Sequence, residues 1–128
     1  MVKISLVIPD VEIGSEIVRL LDEADFPVTV ALWVLLSREG EWEYVIATPL
    51  YGKVGLKECY GRLLAALQPL DQHVVHEIRF RILGHKKPLI RGLRRAYGKD
   101  KSVEGRRLRG PAPGSKIWIE DSYVYRIK

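Results

Sequence analysis

The sequence predicts an α+β fold, a single domain over residues 1–128 with a largely antiparallel sheet and about three helices packed on it. Three observations carry that prediction. Helix-spaced apolar residues recur in three separate segments, near 13–24, 56–68 and 89–97. Strand-like runs lie between and after them, two of them flanking a turn at Gly40. With 128 residues, 47% apolar and 29% charged, the chain can bury a real core and is too hydrophobic to be disordered.

Val2, Ile4, Leu6 and Ile8 alternate, which predicts a first strand over 2–8. From Asp10, a good N-cap, Ile13, Ile17, Leu20, Leu21 and Ala24 follow helical spacing, so a helix is expected over about 10–24. "FPV" ends it, because the residue before proline avoids the helical region. "VTVALWVLLSREGEWEYVIATP" reads as two strands around Gly40, the first apolar on both faces as in a central strand. "YGKVG" is expected to be a loop, and "LKECYGRLLAALQ" a second helix stopping before Pro69.

In "VVHEIRFRIL", Val74, His76, Ile78, Phe80 and Ile82 fall on one face of an alternating pattern, with Glu77, Arg79 and Arg81 on the other. That predicts a strand over 74–83. A third helix runs from Pro88, suited to the first turn, to a stop at Gly98. Its spacing turns Leu89, Ile90, Leu93, Ala96 and Tyr97 inward, and Arg91, Arg94 and Arg95 outward. After the Gly/Pro-rich "RGPAPGSK", "KIWIEDSYVYRIK" is either one long strand or two short ones bent at Glu120–Ser122.

The net charge of +5 conceals an asymmetry. Residues 1–64 carry a net −4 and residues 65–128 a net +9. The densest run is "KKPLIRGLRRAYGKDK", with seven cations and one acid in sixteen residues. A helix face built only for solubility usually intersperses acids with bases at i,i+4, yet no acid occurs between Lys86 and Lys99. Cations that repel one another at this density are relieved by an anion. The plain alternative is a solvated outer face.

The surroundings extend the feature. Arg79 and Arg81 precede it, and Arg106, Arg107 and Arg109 follow. Were the segments carrying Arg79/Arg81 and Arg107/Arg109 to adjoin, they would form a cationic band on the sheet, with Trp118 as an aromatic platform beside it. The candidate nucleic-acid interface is therefore Arg79, Arg81, Lys86, Lys87, Arg91, Arg94, Arg95, Arg106, Arg107, Arg109 and Trp118. No RRM, KH, helix-turn-helix or zinc-finger signature occurs, so the signal is electrostatic and leaves RNA and DNA both open.

Candidate chemistry is sparse, and the sequence assigns no catalytic residue, cofactor or metal ligand. Cys59 sits in a helical pattern as a small buried side chain, and a lone cysteine fits a reducing cytosol. His73 and His76, on a strand, would point to opposite faces, with His76 in the core. "RFRILGH" has the Arg-to-His spacing of one class of helical ribonucleases, but here it runs from a strand into a glycine turn. Glu120 and Asp121 are adjacent and poorly placed as an acid/base pair. Asp121, among Ile119, Tyr123 and Tyr125, needs Tyr hydroxyls or an Arg as partners. No nucleophile elbow, P-loop or dinucleotide fingerprint is present.

"FPVTVALWV…WEYVIATPL" and the terminal "IWIEDSYVYRIK" resemble a group of small bacterial proteins without an assigned activity, which share an aliphatic-Trp hairpin ending in "IATPL" and a C-terminal "IEDSYVYR"-type strand. The resemblance covers most of the chain. It implies a bacterial cytosolic protein of one domain and brings no catalytic residues with it.

Three functional readings follow. The leading one is a non-catalytic nucleic-acid-binding or nucleoprotein accessory domain using the basic half. The second is a protein-interaction or oligomerisation module. In it the acidic half (Glu12, Glu16, Asp22, Glu23, Asp25) faces the basic half of another copy, or the C-terminal strand joins another sheet. The third is a phosphodiester-processing enzyme, which needs Arg79, His85, Glu120 and Asp121 to converge. The apolar run Ile4–Ile8 is too short for a signal core or membrane span, so a cytoplasmic protein without membrane contact is expected.

Overall fold

The computed structural model describes residues 8–128. Helix α1 (Ile8–Glu23) is followed by strands β1 (Val30–Leu35) and β2 (Glu43–Ala47), then helices α2 (Tyr51–Ala66) and α3 (Gln72–Glu77). Strand β3 (Arg79–Leu83), helix α4 (Pro88–Tyr97) and a 3₁₀ turn (Lys101–Val103) come next. Strands β4 (Gly110–Pro111), β5 (Trp118–Ile119) and β6 (Asp121–Ile127) close the chain. The fold is α+β, as the sequence predicts. The strand expected over 2–8 lies, but for Ile8, outside the described residues, and Ile8 opens α1.

The main sheet has the order β3-β2-β1-β6, and β4 and β5 form a separate ribbon. β1 pairs antiparallel with β2 and β6, whereas β3 runs parallel to β2. The parallel pairing follows from the connection, because α2 and α3 carry the chain back to the starting end before β3 begins.

β1 is buried along its whole length, as its apolar composition on both faces demands. Ala31, Trp33 and Leu35 join Ile17 of α1, Leu63 of α2 and Val75 of α3 in one core. Val30, Leu32 and Val34 join Leu89, Ile90 and Leu93 of α4, with Val103, Leu108 and Ile119, in the other. Three helices thus cover one sheet face, while α4, the 3₁₀ turn and the ribbon cover the opposite one. On the first face, sheet aromatics anchor α1 by its backbone. Trp33 Nε1 donates to Asp10 O (3.1 Å), Tyr44 Oη to Gly14 O (2.7 Å) and Tyr125 Oη to Val11 O (2.7 Å). Burial pushes both tyrosine hydroxyls up, which keeps them protonated as donors.

Three local expectations are corrected. The strand over 74–83 is instead helix α3 followed by the shorter β3, because Asp71 caps the helix by accepting from His73 N (2.9 Å). His76 is consequently exposed and not in the core. On α4 the inward arc includes Gly92, and Ala96 is exposed. "YGKVG" is only partly a loop. Tyr51 to Val54 form a helical turn, broken at Gly55 by its positive φ of 83°. Of the two C-terminal alternatives, the bent one holds, with Glu120 separating β5 from β6.

Candidate nucleic-acid interface

α4 is held by an apolar stripe and presents arginines outward. Leu89, Ile90 and Leu93 are buried against the sheet, while Arg91 and Arg95 are exposed. Its first turn holds no acid and no side chain caps it. Across the sheet the sequence asymmetry becomes spatial. Residues 84–120 carry eleven Lys and Arg against three acids, a net +8; residues 8–29, containing α1, carry one Arg against six acids, a net −5.

The arginines divide sharply by partnership. Eight of the twelve pair with a carboxylate: Arg19, Arg38, Arg62, Arg79, Arg81, Arg107, Arg109 and Arg126. The four without a carboxylate partner among the described residues are Arg91, Arg94, Arg95 and Arg106, three of them on α4. Arg94 donates through Nε to Lys128 O (2.8 Å). The side chains of Arg91 and Arg95 have no hydrogen-bond or ionic partner among the described residues. They sit at i,i+4, where like charges are neighbours and repel.

A groove of about 650 Å³ runs beside them, between α4 and the turn at Pro113–Gly114. It exists because the turn approaches the helix backbone closely. A Cβ on Gly92 would lie 1.6 Å from Pro113 O; Gly114 adopts a φ of +66°, and a Cβ there would lie 3.3 Å from Gly92 Cα. No other residue type fits both positions unstrained. Arg91, Arg94 and Arg95 all line this groove.

The other predicted residues are dispersed. Arg79 binds Glu41, and Arg81 lies 3.6 Å from Glu43, both at the β3 edge. Arg107 and Arg109 lie beyond the opposite edge, clamped on Asp121 at the start of β6, each Nε at 3.1 Å from Oδ1. β3 and β6 are the outermost strands, about 14 Å apart by strand spacing. The two arginine pairs therefore do not make one band on the sheet, and each is neutralised locally. Lys86 and Lys87 are exposed just before α4, and Arg106 is exposed after the 3₁₀ turn. Trp118 is 59% exposed on the outward face of the ribbon, opposite Pro111.

Asp121 is the unusual acid the sequence singles out, and arginines rather than tyrosine hydroxyls are its partners. Burial pushes its carboxyl up, but Arg107, Arg109 and the Ser122 amide together outweigh that and hold it below the ordinary range. Next to it, buried Ser122 Oγ donates to Leu108 O (2.7 Å) and accepts from Leu108 N (2.8 Å). Gly105 N donates to Val124 O (2.7 Å) and Val124 N to Arg106 O (3.0 Å). The outer edge of β6 is thus covered at Val124 by Gly105 and Arg106, and at Ser122 by Leu108.

The groups needed for phosphodiester chemistry do not converge. Arg79 and Asp121 sit at one end of the sheet but on its two outer strands. His85 lies past the other end of β3, about 20 Å from Arg79 by strand rise. His85 Nε2 is 2.7 Å from Thr29 Oγ1, which itself donates to Ala47 O; the ring nitrogen is therefore assigned as the donor. Burial and the nearby Arg94 charge lower its pKa, as suits a neutral structural histidine. Among the described residues no group of three or more His, Cys, Asp or Glu is placed to hold a metal ion. Comparison with protein-family models, curated proteins and solved structures returned no match.

Proposed function

We propose that the protein is a non-catalytic RNA- or DNA-binding domain of the cytoplasm that holds the phosphate backbone on the outer face of α4. One observation carries the reading: among the described residues every arginine outside the α4 groove except Arg106 is matched to a carboxylate, and the three that line the groove are not. Leaving like charges together at i,i+4 costs the free protein a few tenths of a kcal/mol. A bound phosphate reverses the sign of that term and releases condensed counterions.

The test is fluorescence anisotropy with labelled RNA and DNA at ~50 mM salt, repeated as salt rises. Binding is expected, with a log–log salt slope of about −2 to −3 for three phosphate contacts. Arg91→Glu with Arg95→Glu should abolish it, while Arg79→Ala, which removes a neutralised charge, leaves it in place. No binding at low salt, or binding indifferent to the α4 substitutions, refutes the proposal. Concentration-dependent self-association lost with the same substitutions would instead support α4 docking on the acidic α1 face of a second copy.

A further inference from the structure

We infer that the ligand of this face is single-stranded, with an unpaired base stacked on Trp118 while its backbone lies in the α4 groove. The inference rests on the phosphate-binding reading above, and three further observations carry it. Trp118 is 59% exposed, whereas Trp33 and Trp42 are only 5% and 6% exposed. Solvating a large aromatic surface forgoes burial worth about 2 kcal/mol, a cost a folded chain usually avoids.

The face on which the side chain projects is also fixed. Trp118 pairs with Pro111, and its neighbour Ile119 is buried in the α4-side core. Ala112 N donates to Ile117 O (2.8 Å), closing the ribbon one pair further on. Strand alternation then fixes Trp118 and Pro111 outward as surely as it fixes Ile119 inward.

Finally, the ribbon that carries Trp118 is the element that forms the groove. Its tip, Pro113–Gly114, is seated on Gly92 of α4. From Pro113 back to Pro111, Trp118's partner, is two residues, about 7 Å. The groove-lining arginines and the stacking platform are therefore carried by two elements in direct backbone contact, within the reach of one or two nucleotides. A duplex keeps its bases stacked on each other and offers none to an exposed ring, so the aromatic favours single strands.

The exposed position of Trp118 supplies its own probe. Titration with oligo-dT is expected to quench tryptophan fluorescence, and a duplex of equal length or heparin is not. Trp118→Ala should weaken oligo-dT binding roughly tenfold or more and leave duplex and heparin affinity unchanged, and Trp118→Phe should recover much of the loss. Equal weakening on single strand and duplex, or no weakening on oligo-dT, overturns the single-strand inference while the α4 charge reversals still decide the phosphate reading. Loss of both kinds of binding only on Arg91→Glu/Arg95→Glu, with Trp118→Ala silent, leaves phosphate binding standing and removes the base stack. If neither polymer binds the wild type, both fall.

Discussion

A methyl group at residue 92 would have to occupy the space of a carbonyl oxygen. In an exposed helix position Gly→Ala stabilises by roughly 1 kcal/mol, since alanine loses less backbone freedom on folding. Here the Cβ would stand 1.6 Å from Pro113 O, a backbone atom that cannot rotate away. Separating the ribbon from α4 disturbs Ala112 and Ile119, which are packed in the same core as Leu93. Overpacking costs about 1–3 kcal/mol, so the steric term wins and Gly92→Ala is expected to lower Tm by several degrees. It should also widen the groove and weaken polymer binding. A Tm at or above wild type in thermal unfolding would show that the contact is not tight in solution.

At the scale of the element, α4 combines stability and proposed function in opposite directions. Replacing Arg91 by Glu puts a carboxylate four residues before Arg95 and three before Arg94, in the favourable orientation and near the helix N-terminus. Arg91→Glu is therefore expected to raise the free energy of unfolding by about 0.5 kcal/mol while lowering nucleic-acid affinity. Urea unfolding and anisotropy on the same sample check it; a loss of stability would mean that Arg91 makes a favourable contact. The helix itself was legible in the sequence, because Pro88, the 3.6-residue apolar stripe and Gly98 are local signals. The exchange of Ala96 for Gly92 on the inward face was not, since it depends on a turn 21 residues downstream. α3 was misread because Val74, His76 and Ile78 satisfy strand alternation, and only the cap at Asp71 decides for a helix. The arginine band failed for a similar reason. Adjacent hairpins suggest neighbouring strands, but the α2–α3 crossover sends β3 to the edge opposite β6, and Asp121 captures Arg107 and Arg109 across 12 to 14 residues.

For the whole molecule, β6 is where the two layers are fastened by charge. On one side Asp22, just before the end of α1, holds Arg126 of β6 with contacts of 2.7 and 2.8 Å. On the other, Asp121 of β6 holds Arg107 and Arg109 of the basic layer. Both carboxyls titrate below their ordinary range, Asp22 chiefly through its hydrogen bond to Arg126 and Asp121 through its arginines and the Ser122 amide against burial. A carboxylate that ionises more readily folded than unfolded stabilises the fold at pH values above its unfolded pKa, about 3.9, and loses that contribution as pH falls through the folded value. Stability is thus expected to be flat from neutral pH to about 5 as far as these groups act, then to fall steeply below about 4. Asp22 is half exposed and solvent screens its pair, so most of the effect belongs to Asp121, whose side chain is 13% exposed. Asp121→Asn should cost about 1–3 kcal/mol at pH 7 by removing the carboxylate that both arginines bind, and should flatten the acid limb relative to wild type. Thermal unfolding of both proteins at pH 7, 5, 4 and 3 reads this directly: curves that converge at low pH confirm the clamp, and parallel curves would place the acid-sensitive groups elsewhere. The same substitution releases Arg107 and Arg109 from their carboxylate clamp, leaving only the weaker attraction of Glu120 on Arg109, so it is expected to strengthen polymer binding as it weakens the fold.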